Sequence, residues 1–191
     1  MDPSTSRYST IAMALHWAIA ALILVQIGLG WWMNDWVPDH SPAQEQIETL
    51  HISLGLTTLL LIAVRIGVRV ALPPPPLPAG LAPWETALSG AGHILFYALM
   101  IALPLTGWAL VSVHKGPIGF WGLEWPKLPG LDVLKTPDHK PWREALQESH
   151  TTVFVYLILA NLALHVAGAV KHQFDGHPVM WRIVPFLKRP I

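Results

Sequence analysis

One apolar run near the C-terminus, residues 151–170, constrains this chain most. At 1.5 Å per residue, a helix of this length extends about 30 Å, the thickness of the hydrocarbon core of a bilayer. His150 stands at the front edge of the run and His165 lies inside it. An ionisable residue at such depth is costly and usually functional. The run therefore predicts a membrane-spanning helix that carries functional histidines.

The composition excludes several classes of protein. Of the 191 residues, 52% are hydrophobic and 13% are charged, which is typical of a small integral membrane protein. The chain has no cysteine, which excludes disulfides, iron–sulfur clusters and covalently attached c-type haem. Ten histidines leave imidazole as the abundant metal ligand. The formal net charge of zero offers no strongly basic surface, so we expect no nucleic-acid partner.

Hydropathy predicts an all-α integral membrane protein, a single four-helix transmembrane bundle over residues 1–191. The spans are expected at about residues 11–33, 49–72, 88–113 and 151–171. The first span is too long for a signal peptide, so we expect it to be retained. Pro73 to Pro76 end the second span, because consecutive prolines cannot continue a helix. Pro104 is expected to kink the third span, and residues 142–148 to form a short interfacial helix.

The positions of Lys and Arg predict the orientation of the bundle. With a cytoplasmic N-terminus, seven of the twelve basic residues lie inside: Arg7, Arg65, Arg69, Lys171, Arg182, Lys188 and Arg189. The loop over residues 34–48 then lies outside and contains no basic residue. The positive-inside rule therefore favours both termini in the cytoplasm.

This orientation arranges four histidines in two pairs of equal depth. His16 and His165 each lie about six residues from the cytoplasmic ends of their spans, whereas His51 and His150 open theirs on the outer side. Haem iron held by two imidazoles needs facing rings at one depth, and this arrangement supplies them twice. His93, early in the third span, is a further inner candidate. Within the fourth span, His150 and His165 are about 22 Å apart along the axis and about 60° apart around it.

Two glycines, each fourteen residues after a histidine, support two haem sites about 21 Å apart along the bundle axis. Fourteen residues make close to four helical turns, so each glycine faces the same way as its histidine. Gly30 follows His16 at this spacing, and Gly107 follows His93. A missing side chain there would let a flat macrocycle approach the backbone. The alternative is that both glycines serve helix–helix packing.

Two arginines of the second span are candidates for binding the anionic propionates of haem. Arg65 follows His51 by fourteen residues, and Arg69 lies one turn further on. Arg pairs well with carboxylates, although snorkelling to the inner surface is an alternative for both. Trp17, beside His16, either packs on a porphyrin face or belongs to the interfacial aromatic belt.

The simplest alternative for each histidine is a polar residue at the membrane edge that binds no metal. Four histidines in two depth-matched pairs favour ligands over that interpretation. A His-lined transporter or a structural bundle is the non-redox alternative. The loop histidines are predicted to be surface residues: His40, His114, His139 and His177.

Seven local patterns follow one another along the chain. They are R-Y-S-T-I-A-M-A-L-H-W at 7–17, L-H-I-S-L-G at 50–55, V-R-I-G-V-R at 64–69, P-P-P-L-P-A-G-L at 74–81, G-H-I-L-F-Y-A-L at 92–99, A-L-P-L-T-G-W at 102–108 and L-H-V-A-G-A-V-K-H at 164–172. In this order they resemble the bacterial cytochrome b561 family. The resemblance implies a four-helix bundle of the bacterial inner membrane that holds two haem b groups. It assigns His16 and His165 to the inner haem, and His51 and His150 to the outer haem.

The resemblance also implies a reaction. Superoxide would be oxidised at the periplasmic side, and ubiquinone reduced near the inner side. His172 matches the quinone-proximal position of the family, and His93 would be a supporting or proton-handling neighbour. The alternative is an electron-transfer subunit that links the quinone pool to a periplasmic dehydrogenase, hydrogenase or other redox partner.

The charge of the outer loops bears on the choice between these functions. They contain five basic and nine acidic residues, so superoxide would be repelled at long range. A positive funnel requires the third loop to fold its basic residues over the outer haem: Lys115, Lys127, Lys135, Lys140 and Arg143.

Overall fold

The computed structural model describes residues 7–78, 80–113 and 116–188. His114, Lys115 and Arg189 lie outside these ranges. Within them, four helical segments are long and apolar enough to cross a membrane. They are α1 (Thr10–Asp35), α2 (Pro42–Ala71), α3 (Pro83–Val113) and the segment Pro137–Phe174. The chain is thus a mostly α-helical membrane protein built on a four-helix bundle.

The fourth span consists of three parts. The helix α4 (Lys140–Glu148) leads into a π-turn (Ser149–Val153), which leads into α5 (Phe154–Phe174). The interfacial helix expected at residues 142–148 corresponds to α4. Single turns at Leu131–Lys135 and Pro137–His139 precede α4, and the one-turn helix α6 (Met180–Ile183) lies in the C-terminal tail.

Serine caps determine where the first two helices begin. The Ser9 hydroxyl accepts the N–H of Ala12 at 3.3 Å, and the Ser41 hydroxyl accepts that of Gln44 at 3.2 Å. Pro42 stands in the first turn of α2, where its missing N–H costs nothing. Consequently α2 begins seven residues before the span expected from hydropathy, and the loop expected over residues 34–48 is half helix.

The bundle buries a small core and leaves most of its apolar surface outward. At most 17% of the apolar window of any span is buried inside the protein. An apolar surface of this extent is stable only against lipid. The core cluster consists of aliphatic and Met side chains from all four spans: Ile19, Ile27, Ile62, Leu99, Met100, Val155 and Ile158.

A β-hairpin that sequence analysis missed covers part of the outer end. Strands β1 (Ile118–Phe120) and β2 (Leu123–Trp125) are antiparallel and joined by Trp121 and Gly122, both at positive φ, as a tight hairpin turn requires. The Trp121 N–H donates to Ser53 Oγ at 3.3 Å, and its indole N–H donates to Thr57 Oγ1 at 2.9 Å. Both acceptors lie beyond the start of the second span, so the hairpin tip is attached to α2 at membrane depth.

The segment before α1 and the C-terminal tail, as far as the structure describes them, meet at the opposite end of the bundle. The Tyr8 N–H donates to the Arg182 carbonyl at 3.2 Å, and Arg7 Nη2 donates to the Val184 carbonyl at 2.7 Å. Arg182 is buried and donates to the Pro76 carbonyl at 2.8 Å. The tail therefore ties the start of α1 to the proline segment that follows α2.

Three of the four loop histidines lie within the described residues. His40 is exposed, whereas His139 and His177 are half-buried. His139 Nδ1 lies 2.8 Å from Thr136 Oγ1. Of these three, only His40 is thus fully at the surface, as predicted for the loop histidines, whereas neighbouring residues partly cover His139 and His177.

Candidate metal centres

The inner end of the bundle brings three imidazoles together. The ring centroids of His16 and His165 are 6.3 Å apart with planes inclined at 51°. The His93 ring lies 5.6 Å from that of His165 and perpendicular to it. The His93 Nδ1–H donates to the Ser89 carbonyl at 2.6 Å. This bond leaves Nε2 of His93 as an acceptor, so His93 stays a geometric alternative to His16.

The outer end holds a second facing pair. The ring centroids of His51, on α2, and His150, in the π-turn, are 6.1 Å apart and the rings are perpendicular. Gly30 and Gly107 both lie beside this pair. A Cβ at Gly30 would be 3.7 Å from His51 Cε1, and a Cβ at Gly107 would be only 2.8 Å from His150 Cε1. The missing side chain at Gly107 therefore makes room for the His150 ring.

The protonation of His150 suits metal ligation. Its Nδ1 lies 2.9 Å from the Leu103 carbonyl and 3.1 Å from Thr106 Oγ1. The Thr106 hydroxyl shares its one proton between the carbonyls of Ala102 and Leu103, each 2.8 Å away. A carbonyl oxygen only accepts, so the Nδ1–H of His150 is the donor in the bond to Leu103. The lone pair of the neutral ring is then on Nε2. Histidines that bind metals are commonly oriented by such a bond from the other nitrogen.

His51 presents an orphaned nitrogen. Its Nδ1 is buried with no hydrogen-bond partner among the described residues, and the same holds for Gln26 Oε1. The Gln26 amide donates instead to the His51 carbonyl at 2.9 Å. A buried polar atom without a partner is costly, so His51 and Gln26 retain hydrogen-bonding capacity that the described residues do not use.

The ring separations fit two imidazoles on opposite sides of one metal ion. A metal–imidazole bond is about 2.0–2.1 Å long and a ring nitrogen lies about 1.1 Å from its centroid, which gives a centroid separation of roughly 6.2–6.4 Å. The separations are 6.3 Å at the inner pair and 6.1 Å at the outer pair. In the described part of the chain, no group of three or more His, Cys, Asp or Glu side chains could hold a metal ion. Each pair therefore suits a metal whose other ligands come with a cofactor, as in haem.

Arg65 reaches the inner level, as its spacing from His51 predicts. Its Nη1 donates to the Ala12 carbonyl at 3.2 Å, and its Nη2 lies 3.3 Å from His16 Nδ1. Guanidinium only donates, so neutral His16 in this arrangement carries its proton on Nε2. Ligation through Nε2 therefore requires Arg65 to turn to another acceptor, such as a carboxylate.

Arg69 lines a small cavity beside Arg65. Its guanidinium lies 5.8 Å from the ring centroid of Tyr97. The cavity is walled by residues from α1, α2, α3 and the proline segment: Tyr8, Ala12, Arg65, Val68, Arg69, Leu72, Pro74 and Tyr97. Two cations at one cavity suit an anionic group.

Trp17 joins the inner site to the tail. Its ring meets that of His16 edge-on at 5.2 Å, and its indole N–H donates to the Ile183 carbonyl at 3.0 Å. The sequence predicts either porphyrin packing or an aromatic-belt position for Trp17, and neither role includes this contact with the tail.

His172 lies in the last turn of α5. Its Nδ1 and Gln173 Oε1 are both buried without a hydrogen-bond partner among the described residues. Lys171 lies beside them and pairs with Glu85 at 2.7 Å and Asp175 at 2.6 Å. The end of α5 thus combines two orphaned polar atoms with an exposed ionic cluster.

Sequence reasoning missed several polar groups that hold the histidines. The Leu103 carbonyl and Thr106 contact His150, and Gln26 holds the backbone of His51. Asn161, buried one turn before His165, donates to the Gly92 carbonyl at 3.0 Å. An Asn and a Gln inside apolar runs were detectable, because polar side chains in a membrane helix usually have a partner.

Comparison with known proteins identifies the family of the chain. A family model described as prokaryotic cytochrome b561 matches residues 7–186. "Probable superoxide oxidase CybB" of Yersinia pestis is 28% identical over 177 residues, which is 88% of this chain and 89% of that protein. "Cytochrome b561 homolog 2" of Escherichia coli (strain K12) is 30% identical over 117 residues, 61% of each chain. "Cytochrome b562" of Cereibacter sphaeroides is 32% identical over 109 residues, 53% of this chain and 66% of that protein. Since the family match extends over nearly the whole sequence, the chain belongs to the prokaryotic cytochrome b561 family.

Proposed function

We propose that this protein is a dihaem cytochrome b that oxidises superoxide at the periplasmic side and reduces ubiquinone near the cytoplasmic side. The family transfers electrons in membranes and binds b-type haem. The observation that carries the proposal is a facing pair of histidines at each end of the bundle, with centroid separations of 6.3 and 6.1 Å. The two histidine pairs are about 21 Å apart along the helices, which is most of the roughly 30 Å thickness of the hydrocarbon core.

The residues have distinct roles in this proposal. His16 and His165 hold the inner haem, and His51 and His150 hold the outer one. Haem supplies one-electron redox chemistry when it is bound. Arg65 and the neighbouring cavity receive propionates of the inner haem.

The reaction balances with two superoxide anions for each quinone. Each superoxide loses one electron and becomes dioxygen, and ubiquinone takes both electrons and two protons to become ubiquinol. His172 lies seven residues beyond His165, about 10 Å nearer the cytoplasmic surface. A protonated Nδ1 of His172 would donate to a quinone carbonyl, and Gln173 Oε1 would accept from a quinol hydroxyl. Their lack of partners among the described residues supports this role.

The proposed location is the bacterial inner membrane, with both termini in the cytoplasm. The excess of Lys and Arg at the end of the bundle where Arg7 and Tyr8 meet the C-terminal tail supports this orientation. The contacts of Tyr8 and Arg7 with the tail place residues 7–8 and 182–184 on the same side of the membrane.

The charges of the outer loop favour a second candidate function. Lys135 forms an ion pair with Asp132, and Lys140 Nζ lies 3.5 Å from Glu144. The hydrogen bond from Lys135 holds the pKa of Asp132 below its ordinary value, so this carboxylate stays ionised at neutral pH. Neutralised cations steer a small anion weakly. An electron-transfer subunit that docks a periplasmic redox protein on its acidic outer face needs no cationic funnel.

Stopped-flow spectroscopy of the purified protein distinguishes the two functions. We expect a superoxide source to reduce the haems under anaerobic conditions with ubiquinone absent, and added ubiquinone to reoxidise them. If only ubiquinol reduces the haems and superoxide does not, the superoxide proposal is wrong and the redox-partner function replaces it. Salt-sensitive binding of a periplasmic redox protein would then be the next measurement.

Variants test the ligand assignment separately from the reaction. His165→Ala and His16→Ala should each lose the inner haem and keep the outer haem, as judged by haem content and reduced spectra. The matched control is His177→Ala, which replaces a half-buried loop histidine and should keep both haems. Loss of the inner haem in His93→Ala but not in His16→Ala would assign the ligand to His93.

A further inference from the structure

Three of the four spans place their site residues fourteen positions apart. The pairs are His16 and Gly30 in α1, His51 and Arg65 in α2, and His93 and Gly107 in α3. The fourth span departs from this pattern, because His150 and His165 are fifteen positions apart. The fourth span therefore contains one residue more than the others between its inner and outer levels.

An uninterrupted α-helix would misdirect His150. Helices in a left-handed bundle repeat every 3.5 residues, so fourteen residues make about four whole turns. A fifteenth residue turns the chain by about 100° more, which leaves His150 about 60° out of line with His165 in a straight helix and about 100° out of line in a supercoiled one. That rotation would carry an imidazole from the bundle interior towards a neighbouring helix or the lipid.

The His150 ring nevertheless faces the interior. Its centroid is 6.1 Å from that of His51, its Nδ1 donates to the Leu103 carbonyl, and its Cε1 occupies the space beside Gly107. The backbone explains this orientation. The Phe154 N–H donates to the Ser149 carbonyl, five residues earlier, so one wide turn encloses His150 and the three residues after it.

We propose that the π-turn Ser149–Val153 positions His150 by absorbing the extra residue of the fourth span. A π-turn accommodates a single inserted residue inside an α-helix while the flanking turns keep their faces. The side chains of His150 and His165 then point in the same directions around the helix axis as if fourteen residues separated them. The turn is a positioning element of the outer site, and this inference rests on the proposed role of His150 as a ligand.

The hydroxyls of the turn bond to the helix that precedes it. Ser149 Oγ donates to the Ala145 carbonyl at 2.7 Å, and Thr151 Oγ1 donates to the Gln147 carbonyl at 3.0 Å. Both acceptors lie in the last turn of α4, and the Ala145 carbonyl also accepts the regular backbone N–H of Ser149, so neither hydroxyl is required for the wide turn. Thr151 is exposed, so its removal disturbs little packing.

Deletion of Thr151 tests the inference. The deletion returns the spacing to fourteen and should convert the π-turn to plain α-helix, so we expect both haems to be retained with a near-native outer spectrum. Insertion of one Ala between Thr151 and Thr152 adds a residue with no turn to absorb it. We expect this variant to lose the outer haem and keep the inner one, which halves the haem content. The substitution Thr151→Ala keeps fifteen residues and should behave as wild type.

The outcomes separate this inference from the proposed function. A Thr151 deletion that keeps the inner haem but loses the outer one overturns the inference, because fifteen residues would then be required. If the deletion variant does not accumulate, the insertion decides, and an insertion variant with both haems overturns it. The proposed function fails instead if His150→Ala keeps the outer haem, or if the wild-type protein never contains two.

Discussion

Replacement of Gly107 by Ala should damage the outer site selectively. The added Cβ would lie 2.8 Å from His150 Cε1 and 3.3 Å from His150 Nε2. The first distance is 0.6 Å below the 3.4 Å at which ordinary contacts begin. The ring cannot retreat freely, since its Nδ1 is held by the Leu103 carbonyl at 2.9 Å, one turn earlier on the same helix as Gly107.

The magnitude follows from two opposing effects. Overpacking a tight site costs about 1–3 kcal/mol, whereas Gly to Ala in a helix stabilises it by about 1 kcal/mol. The helix gain is present with and without haem. Without haem the His150 ring can give up its bond to the Leu103 carbonyl and turn away from the added Cβ, whereas a ring that binds iron cannot, so the overpacking cost falls on haem binding. A cost of about 1–3 kcal/mol weakens binding of the outer haem roughly 5- to 150-fold.

The matched control is Gly30→Ala, whose Cβ would make an ordinary contact of 3.7 Å with His51 Cε1. Both variants gain the same helix propensity, but only Gly107→Ala crowds a proposed ligand. The assay is haem content with reduced-minus-oxidised spectra during dilution or competition with apomyoglobin. Equal retention of the outer haem by Gly107→Ala and Gly30→Ala would refute the reasoning.

Three further predictions address the inner half of the bundle. His172→Ala should keep both haems and slow reoxidation by ubiquinone, and unchanged stopped-flow kinetics would remove His172 from the quinone site. Arg65→Leu should lower the midpoint potential of the inner haem, because it removes a cation that disfavours the oxidised state. Arg65→Lys keeps the positive charge and should keep the potential near that of wild type. A redox titration that finds the three proteins alike would exclude the propionate role. Asn161→Ala should lower the free energy of unfolding by about 0.6–2 kcal/mol, since it removes one interhelical hydrogen bond in the membrane. Equilibrium unfolding in mixed detergent measures that loss, and a variant as stable as wild type would show that the bond to Gly92 contributes nothing.

The sequence predicted the bundle because the apolar runs are long and uncharged, and a bilayer demands helices there. Boundaries were less predictable. Hydropathy does not register the Ser41–Pro42 cap, which starts α2 in polar sequence. The hairpin at Ile118–Trp125 has strands of three residues, too short for an alternating pattern, and its stability comes from contacts with Ser53 and Thr57 that no local pattern reveals.

The depth of the site residues was predictable, because helical rise converts sequence spacing directly into height. Arg65 accordingly reaches His16, and Gly30 and Gly107 lie beside the outer pair. The direction around the fourth helix was not predictable, since a regular helix places His150 and His165 about 60° apart. Only the backbone shows the π-turn that corrects this, although the fifteen-residue spacing was a visible anomaly. The ligand roles of the histidines stay predictions until cofactor content is measured.

The haem content of the purified protein tests the central claim most directly. Pyridine haemochrome analysis against protein concentration should give two haem b per chain, and a redox titration should resolve two components. One haem per chain, or none, would contradict a path for electrons between the two surfaces of the membrane.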